Sequence, residues 1–193
     1  MAAPLPRTIL LFSGKRKSGK DYICNKLKNA LGDENCTVIR ISEPLKAIYA
    51  KRHDLDLQEL LSEGPYKEIY RSDMIEWSDV ERGENPGIFC RAACESAILK
   101  PVWIVSDVRR KTDIEWFSRE YGDLIKTIRI TADVGVREQR GYVYTKGVDD
   151  VASECNLDDF DRWNLIISNN NSEDCESALE TILKLVQNGQ NQK

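Results

Sequence analysis

Two glycines five residues apart, the second followed at once by a lysine, are the chain's strongest chemical feature. Gly14, Gly19 and Lys20 fill three of the four fixed places of a phosphate-binding loop, G-x-x-x-x-G-K-[ST]; the fourth holds Asp21. Successive backbone N–H groups of such a loop wrap a phosphate, and the helix that follows adds further unpaired donors. The lysine reaches the β- and γ-phosphates of a nucleotide. Lys15, Arg16, Lys17 and Ser18 lie inside the loop, so the local field is positive although the chain is not. The plainer alternative is a basic turn in front of an ordinary helix. It leaves the apolar strand before the loop and the helical pattern after it as coincidences.

Further polar groups follow later apolar runs: Lys46, then Arg109 and Arg110, then Arg137 and Arg140, then Asn169 and Asn170. Arginine forks suit phosphate oxygens, and a cluster of them offsets repulsion between two anions. The chemistry expected is phosphoryl transfer by positioning and electrostatics, with magnesium on the β- and γ-phosphates of ATP. An acceptor that is itself a phosphate needs no dedicated general base. Two carboxylates are candidates for organising the metal. Asp21 replaces the usual magnesium-binding hydroxyl, or it simply stabilises a helix N-terminus. Asp107 ends a buried run and either organises magnesium or orients Arg109 or Arg110 through a salt bridge.

These groups need a scaffold, and the hydrophobic pattern supplies one. Short apolar runs at 8–12, 37–41, 102–105, 124–130 and 164–167 read as strands. Helical patterns fall from 22 onward, at about 42–52, 55–61, 66–83, 88–99, 111–121, 133–140 and 173–186. The alternation predicts an α/β fold: a P-loop kinase with a five-stranded, mainly parallel sheet and helices on both faces. Ligands of such sheets bind beyond the strand C-termini, where the basic groups fall. The stretch of about 43–99 reads as a helical, basic insertion that folds over a second substrate. It carries Lys51, Arg52, Lys67, Arg71, Arg82 and Arg91. The stretch of about 133–162 reads as a lid, with 141–162 a mobile loop region without firm periodicity.

Composition narrows the class. The 193 residues suit one domain, 1–193, and the formal net charge of −4, from 28 basic and 32 acidic side chains, argues against nucleic-acid or anionic-membrane partners. Six scattered cysteines read as reduced thiols, and one histidine gives little support for a structural zinc. Prolines in the first seven residues replace the apolar core of a secretory signal, and no run approaches a membrane span, so a cytosolic protein is expected. The N-K-x-D and D-x-x-G motifs of a GTPase are absent. A nucleoside monophosphate kinase remains the nearest rival, with Tyr49, Tyr66, Tyr70 and Trp77 either forming a base pocket or packing the insertion. A non-catalytic nucleotide-binding module is a rival of another class.

The loop Ser13–Asp21, with Ser106–Arg110, Gln139-Arg140-Gly141, Gly147–Asp150 and Ser153–Cys155, closely resembles the animal phosphomevalonate kinase family. The likeness runs from about Thr8 to about Val186, and Asp21 is typical of that family. The resemblance implies a nucleoside-monophosphate-kinase-like fold, usually monomeric. It implies magnesium-dependent transfer of the γ-phosphoryl of ATP to (R)-5-phosphomevalonate, on the mevalonate route to isoprenoids and sterols. It also implies that Lys15 to Asp21, Arg140 and Asn170 bind ATP. Lys46, Lys67, Arg71, Arg82, Arg91, Arg109, Arg110, Arg137 and Asn169 would serve the acceptor, with Arg129 grouped among them. Lys20, Arg16, Arg110 and Arg140 would act on the transferring group. Some members end in a peroxisomal Ser-Arg-Leu-like tripeptide; this chain ends Asn191-Gln192-Lys193, which again points to the cytosol.

Overall fold

The structure is a computed structural model that describes residues 6–62 and 64–190. The C-terminal tripeptide and most of the N-terminal stretch considered for targeting lie outside the described residues. The chain runs β1 (Thr8–Gly14), α1 (Lys20–Leu31), β2 (Cys36–Ile39), α2 (Ser42–His53), α3 (Leu57–Leu61), α4 (Pro65–Glu84), α5 (Ile88–Glu95) and β3 (Val102–Val105). It continues α6 (Lys111–Tyr121), β4 (Ile125–Thr131), α7 (Val134–Gln139), α8 (Ala152–Cys155), β5 (Leu165–Ser168) and α9 (Ser172–Gln190).

The five strands form one sheet in the order β2-β3-β1-β4-β5, every neighbouring pair parallel. Ile9, Leu10, Leu11 and Phe12 are fully buried, because β1 is central and covered on both faces. The two-residue period divides them. Leu10 and Phe12 pack with Ile23 and Leu27 of α1 and Ile182 and Val186 of α9. Ile9 and Leu11 pack on the other face with Phe89 of α5 and Ile114 and Phe117 of α6. Each such side chain contributes about 1.5–3 kcal/mol by leaving water. The C-terminal ends of β1, β3 and β4 are thereby held rigidly at one edge, where the chain's crossovers change direction.

The 43–99 stretch divides in two. Tyr49, Ala50, Leu60 and Met74 form a small core of their own within α2, α3 and α4. Helix α5 instead buries Phe89, Cys90 and Ala93 against the sheet layer. It ends at Glu95, earlier than the pattern to 99 suggested, where the Ser96 hydroxyl donates to the Ala92 and Ala93 carbonyls, both at 3.1 Å. The 141–162 stretch is not wholly irregular: it carries the single turn α8, too short for periodicity to reveal. All six cysteines are unpaired, no group of three metal-ligating side chains occurs among the described residues, and no described helix is long and apolar enough to cross a membrane.

Candidate active site

The glycine loop joins β1 to α1 at the sheet's C-terminal edge. Gly19 has φ +85°, and a Cβ there would lie 2.2 Å from Asn169 Nδ2, so both backbone angle and space exclude a side chain. At Gly14 a Cβ would lie 2.8 Å from the Ile130 carbonyl oxygen and 2.7 Å from Ser18 Oγ. Lys20 is buried. Its Nζ donates to the Ser106 carbonyl at the end of β3 and, at 2.6 Å, to Asp21 Oδ1. The Ser18 and Ser106 hydroxyls are buried without a hydrogen-bond partner. Two orphaned hydroxyls beside a buried lysine are what a phosphate cradle supplies to an anion, since burial without a partner otherwise costs about 1–3 kcal/mol each.

The far wall of the loop comes from β4, α7 and β5. Arg140 Nη1 donates to the Ser18 carbonyl at 3.2 Å and Nη2 to the Asn169 carbonyl at 2.8 Å. Buried Asn169 donates its Nδ2 to the same Ser18 carbonyl at 2.9 Å. The Asn170 Oδ1 accepts from Asp133 N at 2.8 Å and ties the end of β5 to the start of α7, the helix that leads to Arg140. Arg137 Nε donates to the Arg16 carbonyl at 2.8 Å, with its guanidinium 3.9 Å from the Tyr142 ring centroid. A hollow of about 420 Å³ beside Gly19 is lined by Tyr22, Arg140, Asn169, Asn171 and Ser172. A larger one of about 540 Å³, around Ile114, Phe160 and Arg162, contains no loop residue and lies apart from this chemistry.

The α8 region supplies acids that the sequence reading left without a role. Lys15 pairs with Asp158 at 2.6 Å and donates to the Glu154 carbonyl at 2.8 Å. Arg16 pairs with Asp149 at 2.8 Å, and Arg109 with Glu154. Arg129 donates to Ser13 Oγ at 2.8 Å and pairs with Asp158 at 3.1 Å. Asp149 and Glu154 lie inside motifs that carried the family resemblance, and the acid-rich stretch was visible. Which cation each acid meets was not, because the partners are more than a hundred residues apart for Lys15 and Arg16.

On the insertion side, Lys46 is half-buried, and its pKa is lowered first by burial and then by the charges of Lys67 and Arg71. The charge of Asp107 opposes that shift. Arg71 makes a forked pair with Glu68, both contacts 2.6 Å; that hydrogen bond raises the arginine's pKa and lowers the glutamate's. Arg110 pairs with Asp79; burial lowers its pKa while the charge of Asp79 opposes the shift. Arg82 pairs with Asp113 at 2.6 Å. Arg91 is exposed on α5 and has no side-chain partner among the described residues.

Asp107 makes neither of the contacts weighed for it with an arginine. Its Oδ1 accepts from Ile41 N at 2.7 Å and its Oδ2 from Ser42 N at 3.0 Å, at the entry to α2. The salt-bridge alternative is thus corrected, because Arg109 and Arg110 pair elsewhere. The Asp21 side chain is 75% exposed and engaged only through the Lys20 contact among the described residues, so it is the more available carboxylate. The insertion's aromatic residues pack on one another. Tyr49 and Trp77 have ring centroids 5.3 Å apart, Tyr66 and Tyr70 5.1 Å, and Trp77 reaches Phe89 at 5.7 Å. Tyr49 lies in that region's core and Tyr66, Tyr70 and Trp77 pack against it, which favours the packing role over a base pocket.

Comparisons with known proteins identify the family and the fold. Residues 12–123 match the family model described as phosphomevalonate kinase. A curated relative, phosphomevalonate kinase of Drosophila melanogaster, is 47% identical over 184 residues, covering 93% of this chain and 96% of that protein. Among solved structures, TT1252 from Thermus thermophilus matches with a TM-score of 0.56 at 20% identity, over 94% of this chain and 98% of that one. A gluconokinase from Sinorhizobium meliloti 1021 matches with a TM-score of 0.53 at 12% identity, over 96% and 97%. At those identities the two structures speak for the fold alone.

Proposed function

Since this chain belongs to the phosphomevalonate kinase family, we propose a division of its site into a nucleotide side and an acceptor side. The reaction is transfer of the γ-phosphoryl of ATP to (R)-5-phosphomevalonate, giving ADP and (R)-5-diphosphomevalonate in the mevalonate pathway. The observation that carries the division is that Arg140 and Arg137 bind backbone carbonyls of the glycine loop, whereas Lys46 of α2 lies in the field of Lys67 and Arg71 of α4.

On the nucleotide side, the backbone of Gly14 to Asp21 cradles the ATP phosphates, and Ser18 Oγ gains the partner it lacks. Lys20 leaves the Ser106 carbonyl to follow the transferring charge. Arg140 and Asn170 complete this side. Asn169, expected at the acceptor, fits the nucleotide side better, because its amide already supports the Ser18 carbonyl. The hollow beside Gly19 is of a size and polarity for the nucleoside.

On the acceptor side, Lys46, Lys67, Arg71, Arg109 and Arg110 hold the phosphate and carboxylate of phosphomevalonate, with Arg91 at the rim and Arg82 behind them on Asp113. Arg137, expected at the acceptor, fits the nucleotide side better through its contact with the Arg16 carbonyl. The acceptor's phosphate oxygen is the nucleophile, so positioning and charge stabilisation supply the catalysis. Arg16 and Arg110 meet the transferring group from opposite sides. The donor set suits magnesium through exposed Asp21, directly or through water, with Asp107 holding α2 in place. When bound, the metal neutralises charge between the β- and γ-phosphates. Residues 133–162 close as a lid and exclude water from the transfer. We read the enzyme as one domain, monomeric and cytosolic.

The test is ADP release with magnesium-ATP, comparing (R)-5-phosphomevalonate with AMP, CMP, UMP and dTMP at equal concentration. Turnover with phosphomevalonate alone is expected. Turnover with a nucleotide and none with phosphomevalonate would overturn the acceptor side as drawn.

A further inference from the structure

Helices α4 and α6 exchange charges across their contact. Helix α4 carries Asp79 and Arg82; Arg110 and Asp113 flank the start of α6. Within each set the residues are three apart, close enough to share a face. Asp79 meets Arg110, and Arg82 meets Asp113 at 2.6 Å, so each helix both gives and receives a carboxylate contact.

The two pairs differ in what surrounds the carboxylate. The Asp79 side chain is 45% exposed, whereas that of Asp113 is 1% exposed and its partner Arg82 11%. Both oxygens of Asp113 are fully used. Oδ1 accepts from Arg82 Nη1 and, at 3.5 Å, from the Cys90 thiol of α5. Oδ2 accepts from Arg109 N at 3.2 Å and Arg110 N at 3.1 Å. One buried carboxylate therefore gathers donors from α4, from α5 and from the turn that presents the two arginines after β3.

We propose that Asp113 is a positioning residue for phosphoryl transfer. Its Oδ2 fixes the backbone from which the Arg109 and Arg110 side chains project. Its Oδ1 holds Arg82, and with it α4, at the distance that lets Asp79 orient the Arg110 guanidinium. Arg82 on this account acts through Asp113 and makes no contact of its own with the acceptor. Asp79, open to solvent, is the carboxylate that an arriving phosphate can displace from Arg110; Asp113 stays in place throughout the cycle. A buried carboxylate with four donors has no solvent to take over any of them, so loss of its charge shifts the turn instead of rehydrating it.

The proposal rests on the acceptor side drawn above, and the experiment separates the two. Steady-state kinetics with magnesium-ATP and phosphomevalonate would be measured for the unsubstituted protein, Asp113→Asn, Arg82→Gln and the double variant. Asp113→Asn is expected to lower kcat/KM for phosphomevalonate by about 100-fold, as an ångström-scale misplacement does. The KM for ATP should change by less than about twofold, because the nucleotide side shares none of these contacts. The double variant should be no worse than Asp113→Asn alone. Equal losses toward ATP and acceptor would reduce Asp113 to a structural role and overturn the proposal. Losses that multiply in the double variant would also overturn it, by giving Arg82 an independent contact. Should Asp113→Asn fail to fold, Arg82→Gln must show the acceptor-only loss, and unchanged kinetics there would be equally fatal. An unsubstituted protein that turns over ATP but not phosphomevalonate would instead sink the acceptor side.

Discussion

The two flanks of the glycine loop hold their cations in different ways. On the lid flank, Lys15, Arg16 and Arg109 pair with Asp158, Asp149 and Glu154; these cations keep 29%, 30% and 41% of their side-chain surface exposed and Asp158 keeps 45%, whereas Asp149 and Glu154 keep 6%. On the insertion flank, Arg82 and Asp113 are both nearly inaccessible. Solvent-open pairs contribute about 0–1 kcal/mol, because water and salt compete for both partners. Removing one partner of a buried pair costs about 3–5 kcal/mol, because the other charge is left without solvation. The difference teaches that cations open to solvent can give up their carboxylates to phosphates, as can Arg110 with its 45% exposed Asp79, whereas the Arg82–Asp113 pair is built in advance of its ligand.

The sharpest test of that contrast lies between the flanks. Lys20→Met should lower kcat by at least about 10²–10³-fold, the scale on which loss of a transition-state donor acts; a near-normal rate would remove the lysine from the chemistry. Next comes Arg110→Met, expected to lower kcat/KM for the acceptor by about 100-fold while leaving ATP affinity almost unchanged. An effect confined to ATP would move Arg110 to the nucleotide side and erase the asymmetry.

A smaller effect should come from pH. Burial and its cationic neighbours hold Lys46 below the ordinary lysine value of 10.5. Only the protonated lysine attracts an anion. Acceptor kcat/KM should therefore fall as pH rises through that lowered pKa, before an ordinary lysine would titrate. Bound acceptor should shift the fall to higher pH. In Lys46→Arg the alkaline limb should vanish, since arginine does not titrate in this range. The smallest effect is expected from Asp158→Asn on the lid flank, where Asp158 is 45% and its partner Lys15 29% exposed. It should change stability by less than about 1 kcal/mol and leave the KM for ATP equal or lower, because Lys15 is released. A large rise in that KM would show the lid pairs to be as fixed as the Arg82–Asp113 pair.

Much of this architecture was legible in the sequence. The run Ile9 to Phe12 and the glycines after it announced a central strand and a phosphate loop, because both signals are local: apolar continuity and the backbone freedom of Gly14 and Gly19. The insertion's aromatic residues were ambiguous, since Tyr49 and Trp77 have the same chemistry in a base pocket as in a core. Only packing decided that they face each other. The turn α8 was missed because four residues cannot display a helical period.

The sequence by itself determined the strand-and-helix alternation, the phosphate loop and the family, because those depend on neighbouring residues and on motif spacing. Only the tertiary structure decided which acid meets which base. It gave Asp107 to the backbone of α2, Asp113 to Arg82, and Asp149, Glu154 and Asp158 to the cations around the loop. The physical reason is that charge pairing depends on distance and solvent access in three dimensions. Residues as far apart in the chain as Lys15 and Asp158 gain either only when the sheet has brought them to one edge.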